Sequence, residues 1–246
     1  DLNIMIEQKK QPNFFPIQSV DNFFDKPDEI VKFANSLKYK TGPHGFWPGK
    51  RTEELHINHK VFFKSFLTKL FALFFDYRHV KLNWSSVGMY FQKTYAFDPK
   101  VKNNILNTGL IHQDGKFPLV GLVYLTKDAC KDSGTSIMIP NKKYKNKTEL
   151  GDEKERLYKI PQDQLSKKDL EDRKKLILDT NENFEESIRF NNKFNRLITY
   201  TGQDFHKCNS FYSDKDERLT LVFFIGKMQC NAYTPLQRSE NELIQL

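Results

Sequence analysis

Three residues able to hold a metal ion stand in two places far apart in the chain. His112 and Asp114 lie two apart in Ile111-His112-Gln113-Asp114. On a β-strand residues two apart point to one face, so an imidazole and a carboxylate can aim at a single point. His206, in Tyr200-Thr201-Gly202-Gln203-Asp204-Phe205-His206, can bring a second imidazole from a distant strand. Two histidines and one carboxylate form a facial set that holds iron(II) and leaves positions open on it. Arg218 follows twelve residues after His206, with Thr220 on the same strand face. A guanidinium there can grip a carboxylate with two prongs. Its neighbours Leu219, Leu221, Val222, Phe223 and Phe224 are apolar, and a charge among them needs a partner. Taken singly, His112 reads as a surface or core histidine and Arg218 as an edge-strand arginine in water. Only their order and context give the set weight.

The elements that must position these residues change texture along the chain. Residues 1–12 read as a strand or arm, and 13–17 as a short extended segment. Asp25 can cap a helix, Pro27 suits its first turn, and Asp28 and Glu29 sit at the positive end of its dipole. Ile30, Val31, Ala34 and Leu37 follow at helical spacing, which predicts an amphipathic helix over 26–38. Residues 42–49 form a loop by their Gly and Pro content. Residues 58–76 read as a second helix with a broad apolar face. From about residue 80 the pattern favours strands: Trp84 to Gln92, Leu119 to Thr126, Ser136 to Ile139, then Phe190 to Tyr200 and Leu219 to Ile225. Several short strands with turns between them argue for a sandwich or barrel. Residues 141–182 are charged and poor in aromatics, with helices suggested around 161–164 and 166–176. They form an insert, because strands needed for the site lie on both sides. The expectation is one mainly β (α+β) domain over 1–246, with helical support in 1–80, a β-core in 84–226 and the insert at 141–182.

The chain has 246 residues, a net charge of +8 and 22 phenylalanines. That length can bury a sizeable core, and aromatic side chains supply much of it. The charge favours anionic partners, whether nucleic acid, acidic protein or small carboxylate. Lysines such as Lys142, Lys143, Lys145 and Lys147 read as a solvated loop. Three cysteines without tight spacing, Cys130, Cys208 and Cys230, imply reduced thiols in a cytosol-like compartment. Cys208 lies two residues after His206 and reads as a buried thiol in preference to a ligand. His44, His56, His59 and His79 lie upstream of the strands and read as structural or surface residues. No apolar run is long enough to span a membrane, and the first ten residues show no signal pattern, so the chain as given reads as a soluble one.

The order His-x-Asp, then His, then Arg, with strands between, resembles the Fe(II)/2-oxoglutarate-dependent oxygenase superfamily. Gly121-Leu122-Val123-Tyr124-Leu125-Thr126-Lys127-Asp128 and Ser133-Gly134-Thr135-Ser136-Ile137-Met138-Ile139-Pro140 resemble its prolyl-hydroxylase branch. Here Thr126 stands where that branch usually has Asn, and Ser133-Gly134 replaces a Gly pair. Ile17 to Asp25 with Phe23-Phe24, Trp47-Pro48-Gly49-Lys50-Arg51-Thr52 and Asn195-Arg196-Leu197-Ile198 are similar to a little-characterised phage and bacterial group of these enzymes. The resemblance implies a double-stranded β-helix (jelly-roll, cupin-like) with N-terminal helices packed on it. It implies His112, Asp114 and His206 as Fe(II) ligands and Arg218 with Thr220 as the clamp on 2-oxoglutarate. Tyr124 would donate to the distal carboxylate of the co-substrate, against a plain reading as a core aromatic. Tyr90 resembles the tyrosine on the strand before His-x-Asp.

The activity implied is hydroxylation of a C–H bond with O2 and 2-oxoglutarate, ascorbate being a further cofactor in that branch. Because Asp114 is a carboxylate, halogenation is disfavoured. A peptidyl proline, another protein residue or an amino acid is the expected substrate, acting in the cytoplasm, that of a phage host included. A nucleic-acid demethylase is the second reading; that branch has another arginine six residues beyond the first, where this chain has Phe224. The third is a catalytically silent β-barrel that binds an anion. The insert is expected to be a mobile lid over the substrate, or a decoration remote from the pocket.

Overall fold

The computed structural model of the chain describes residues 15–41, 47–76, 78–84, 86–145, 156–157, 160, 162–214 and 217–230. The expected N-terminal arm, His44, Lys147, Glu149, Asp152, Glu153 and Glu155 lie outside them.

Eleven strands are described: β1 (Gln18–Val20), β2 (Lys50–Arg51), β3 (Leu82–Asn83), β4 (Ser86–Thr94), β5 (Leu119–Tyr124), β6 (Thr135–Pro140), β7 (Phe184–Phe190), β8 (Leu197–Tyr200), β9 (Phe205–Cys208), β10 (Arg218–Gly226) and β11 (Gln229–Cys230). Every described pairing is antiparallel. Six strands form the main sheet in the order β1-β8-β5-β10-β4-β2, three form a second in the order β7-β6-β9, and β3 pairs β11. The helices are α1 (Pro27–Ser36), α2 (Leu55–Asn58), α3 (Lys60–Ala72) and α4 (Lys167–Asn181). This is a β-rich, jelly-roll-like architecture. No described helix is long and apolar enough to cross a membrane.

The period-2 pattern of β10 organises the layers. Leu219, Leu221, Phe223 and Ile225 face the helical layer and join Phe23, Phe66 and Phe71 in the largest core. Arg218, Thr220, Val222 and Phe224 face the other way, into a cavity between the sheets. β4 does the same, with Met89 and Phe91 inward to the helices and Gln92 and Thr94 on the cavity side. Gly134 ends the link into β6 where an added Cβ would lie 1.8 Å from the Phe190 carbonyl oxygen, so no larger residue allows β6 and β7 to close at that point.

Several expected elements differ in detail. The second helix, expected over 58–76, is α3 over Lys60–Ala72, and a short α2 precedes it, with His59 between them, its ring 5.1 Å from Phe33. Asp25 does not cap α1; it accepts from Lys69 Nζ at 2.7 Å, tying α1's approach to α3. Two strands of the main sheet, β1 and β2, come from the region expected to be helical support. The insert is also less solvated than its composition suggests. Arg173, Leu176, Ile177 and Thr180 of α4 are buried, two of them in a cluster with Leu110. Ser166 caps α4 through a capping box with Asp169.

The N-terminal segment is pinned to the turn before β8. Asn195 Oδ1 accepts from the Phe24 N–H and its Nδ2 donates to the Phe24 carbonyl, both at 2.8 Å. Arg196 grips Asp21 with Nε at 2.6 Å and Nη2 at 3.1 Å, and Lys193 Nζ adds a contact at 2.7 Å. The bonds from Arg196 and then Lys193 hold the Asp21 carboxyl down at about 2, from an ordinary 3.8. A carboxyl whose folded pKa is depressed contributes stability that is present above its unfolded pKa and lost as pH falls through the folded value. Wild type should therefore lose stability between about pH 4 and pH 2 more steeply than Asp21→Asn. Urea midpoints across that range test this, and parallel curves for the two proteins would exclude the staple as a contributor.

Candidate metal centre and cavity

His112 does not sit in a regular strand. A single antiparallel bridge joins it to His206 of β9: the His112 N–H donates to the His206 carbonyl at 3.0 Å, and the His206 N–H donates back at 2.9 Å. The chain is then steered past the bridge. The Asp114 N–H donates to the Gly202 carbonyl at 2.8 Å, and Gly115 takes φ +94°, a left-handed value that a side chain would resist. The opposing turn is closed by the Asp204 carboxylate, which accepts from the Thr201 N–H at 2.9 Å. Before the bridge, the Gly109 N–H donates to the Cys208 carbonyl at 2.8 Å. Arg173 reaches in from α4, donating from Nε to the Leu106 carbonyl at 3.2 Å and from Nη2 to the Thr108 carbonyl at 2.7 Å. Its guanidinium lies 3.7 Å from the centre of the Phe97 ring.

This backbone brings His112, Asp114 and His206 together, with one donor atom of each within 4.8 Å of the others. The His112 Nδ1 lies 2.8 Å from the Leu110 carbonyl, and the His206 Nδ1 2.9 Å from that of Asp204. A carbonyl only accepts, so each Nδ1 carries the hydrogen of a neutral ring and the Nε2 lone pairs turn to Asp114. They stand 3.6 Å (His112) and 3.2 Å (His206) from its two carboxylate oxygens. Two lone pairs facing a carboxylate repel unless a cation or a proton lies among them. Burial works to raise the Asp114 carboxyl; a proton taken up at Nε2 puts positive charge on His206 and turns both imidazoles into donors, which outweighs burial and holds the group well below the usual carboxylate range. The donor set suits a divalent ion that takes nitrogen and oxygen ligands, with both imidazoles oriented by carbonyls behind them.

The three groups line a cavity of about 350 Å³. Arg218 and Thr220 are in its wall. Arg218 is only 4% exposed, and among the described residues its Nε and Nη2 have no hydrogen-bond partner. Tyr124 lies beneath it, its ring centre 5.4 Å from the guanidinium carbon. The Tyr124 hydroxyl donates to Thr135 Oγ1 at 2.9 Å, and it is Thr135 that lines the cavity. Tyr90 also stands outside the wall, its hydroxyl donating to Glu54 at 2.8 Å. Cys208 lines the cavity but lies outside the His/Asp/His group; burial pushes its thiol up, as for an inert cysteine. His56 pairs with Glu54 at 3.2 Å, away from the centre.

Arg51 is the cavity residue that the sequence did not single out. It lies on β2, opposite Gln92 of β4, and its Nε donates to Gln92 Oε1 at 2.8 Å. The only signal was its place in Trp47-Pro48-Gly49-Lys50-Arg51-Thr52, a stretch legible as a loop but not as a wall.

A buried guanidinium with unmet donors costs stability until a ligand satisfies it, typically about 1–3 kcal/mol for such a group. Arg218→Met should therefore raise the thermal midpoint of the ligand-free protein. Calorimetry of both proteins checks this; an unchanged or lowered midpoint would mean that Arg218 is already satisfied within the fold.

No curated protein matches the chain in sequence. Among solved structures, HygX from Streptomyces hygroscopicus, with nickel and 2-oxoglutarate bound, is 12% identical, covers 87% of this chain and 84% of its own, and superposes with a TM-score of 0.50. A prolyl hydroxylase from Trichoplax adhaerens, in complex with a hypoxia-inducible-factor peptide fragment, is 10% identical over 87% and 84% of the two chains, with a TM-score of 0.46. EvdO2 from Micromonospora carbonacea var. aurantiaca, complexed with 2-oxoglutarate, is 7% identical over 90% and 91%, with a TM-score of 0.46. At these identities the likeness is one of fold. The model of a family of unknown function, DUF6445, matches residues 5–225. The chain thus belongs to the DUF6445 family, and its fold is that of the Fe(II)/2-oxoglutarate-dependent oxygenases.

Proposed function

We propose that the protein is an Fe(II)- and 2-oxoglutarate-dependent dioxygenase that hydroxylates a C–H bond of an amino acid, a peptide or a protein residue. One observation carries this reading: the buried Arg218, with donors that no described residue meets, opens into the same cavity as the His112/Asp114/His206 group. A metal-binding trio alone fits many chemistries. Coupled to a guanidinium with unmet donors in the wall of the same cavity, it fits a metal-chelating anion with a second carboxylate, and 2-oxoglutarate is such a molecule.

In this reading His112 and His206 bind iron(II) through Nε2 and Asp114 through a carboxylate oxygen. When bound, iron and co-substrate supply the oxidation: O2 is consumed, 2-oxoglutarate loses CO2 to become succinate, and one oxygen atom enters the substrate C–H bond. The chain's own residues bind, orient and exclude water. The Leu110 and Asp204 carbonyls hold each imidazole in the metal-binding tautomer. Arg218 grips the distal carboxylate with Nε and Nη2, Thr220 beside it lines the same wall, and Tyr124 supports the guanidinium from below. The whole chain acts as a single domain. Leu157, Ile160 and Gln162 of the insert line a second cavity that shares Trp47 and Pro48 with the first, which supports a substrate-side role for the insert. α4 is its fixed root. No specific feature of the cavity favours the nucleic-acid reading, and Phe224 in its wall disfavours it.

Titration of the metal-free protein with Fe(II) under anaerobic conditions should give one ion per chain. His112→Ala and Asp114→Ala should each weaken binding by at least a hundredfold; parental affinity in either variant would exclude the ligand set. Arg218→Met should keep the metal and raise the 2-oxoglutarate concentration for half-saturation, since truncating one partner of a buried charge pair costs about 2–5 kcal/mol. Equal half-saturation in variant and parent would exclude Arg218 as the clamp.

A further inference from the structure

Arg51 is a second guanidinium in the cavity wall, and the reading above gives it no task. Its side chain is held on three aromatic faces: the guanidinium carbon lies 4.1 Å from the Trp47 ring centre, 5.2 Å from Tyr90 and 5.6 Å from Phe224. Nε is committed to Gln92, and Gln92 is itself fixed through Nε2 to the Pro48 carbonyl at 3.0 Å. Among the described residues no carboxylate pairs with Arg51. Glu54, the acid beside Tyr90, is engaged with the Tyr90 hydroxyl and His56. Burial brings the Arg51 guanidinium down to about 10, opposed by the charge of Asp114, so it is cationic at neutral pH. Close by, the Trp47 indole N–H is a buried donor with no partner among the described residues, and Trp47 lines the same cavity. A rigid fork whose Nε side is already committed, with an unmet N–H beside it, is a built anion site.

We infer that Arg51 and Trp47 form the subsite that binds a carboxylate of the substrate, which places the oxidised C–H bond in a carboxylate-bearing molecule. This rests on the dioxygenase reading. Charge selects the class. Iron(II) with Arg51 and Arg218 brings four positive charges. Asp114 and the 2-oxoglutarate dianion bring three negative ones. One carboxylate closes the difference, whereas a phosphate monoester, at about −1.5 to −2, exceeds it. Among the described residues no lysine lines the cavity to match the excess. The planar edge of one guanidinium also suits two carboxylate oxygens.

The test uses protein loaded with Ni(II) and 2-oxoglutarate and acetate as the probe, read by broadening of its methyl proton signal. Acetamide is the neutral match and methyl phosphate the rival anion. Wild type should broaden acetate saturably and acetamide not at all. Arg51→Met should weaken acetate at least tenfold while 2-oxoglutarate binding stays within twofold. Arg51→Gln, with the same expectation, serves if Arg51→Met does not fold. Acetate binding that is absent in wild type or equal in wild type and variant overturns the subsite. Methyl phosphate binding more tightly than acetate overturns the carboxylate class. Loss of 2-oxoglutarate binding in the Arg51 variants, with Arg218→Met unaffected, would make Arg51 the co-substrate clamp instead. Failure of wild type to bind metal and 2-oxoglutarate at all would sink the dioxygenase reading itself, an outcome distinct from any of these.

Discussion

The pair of backbone hydrogen bonds between His112 and His206 is the constraint on which the site depends. It fixes two residues 94 positions apart in mutual register, so that their rings lie 4.3 Å apart. Without it His112 is only a loop residue. The surroundings serve the bridge. Gly109 lets the incoming chain approach Cys208, where an added Cβ would lie 2.8 Å from the Cys208 nitrogen. Arg173 holds the carbonyls of Leu106 and Thr108 from behind, and the Gly202 turn receives Asp114. A metal site needs its donors placed to a fraction of an ångström. In the candidate group that placement would come from the backbone, with side chains taking the last step.

The grouping of the candidate residues was more legible in the sequence than the means of holding it. His112, Asp114, His206 and Arg218 could be read because histidine, carboxylate and arginine among β-forming residues are uncommon, and their order carried the rest. The expected strand under His112 and Asp114 is in fact one bridge and a glycine turn. Period-2 reasoning gave the right convergence through the wrong local geometry. Arg51 was hidden because its meaning lies in Tyr90, Gln92 and Phe224, partners supplied by strands much later in the chain. Arg173 was not singled out for a related reason. A charged residue in a charged segment counts as solvent-facing by composition, yet this one is fully buried and satisfied by carbonyls and an aromatic face. Tyr124 and Tyr90 lie where the strands put them, but neither lines the cavity: the Tyr124 hydroxyl is engaged with Thr135, which does, and the Tyr90 hydroxyl with Glu54.

The cavity is built at the expense of the fold's own stability. Its walls carry the Arg218 guanidinium and the Trp47 indole N–H, with donors that the described residues leave unmet, and three groups that could hold a metal ion. An apolar lining of the same volume would pack better. The helical layer compensates on the far side of the main sheet, where the alternate residues of β10 and β4 meet rings such as Phe66 and Phe71. One strand thus divides its residues between cohesion and recognition, and a slip of a single residue would exchange the two faces.

The place of β10 in the main sheet also has a consequence for how the chain acquires its shape. β10 is the last long strand among the described residues, yet it lies at the middle of the sheet, between β5 and β4. Until it arrives, β4 and β5 are open edges and the sheet exists as two unjoined halves. Asn195 likewise meets Phe24 across a separation of 171 residues. Such non-local closure is slow, because chain entropy is lost before contacts reward it. During synthesis, β4 and β5 emerge long before their common partner and present unsatisfied hydrogen-bonding edges to other chains. The strand that delivers Arg218 and Thr220 is therefore also the one that ends the aggregation-prone phase, and the molecule becomes safe and binding-competent in the same step.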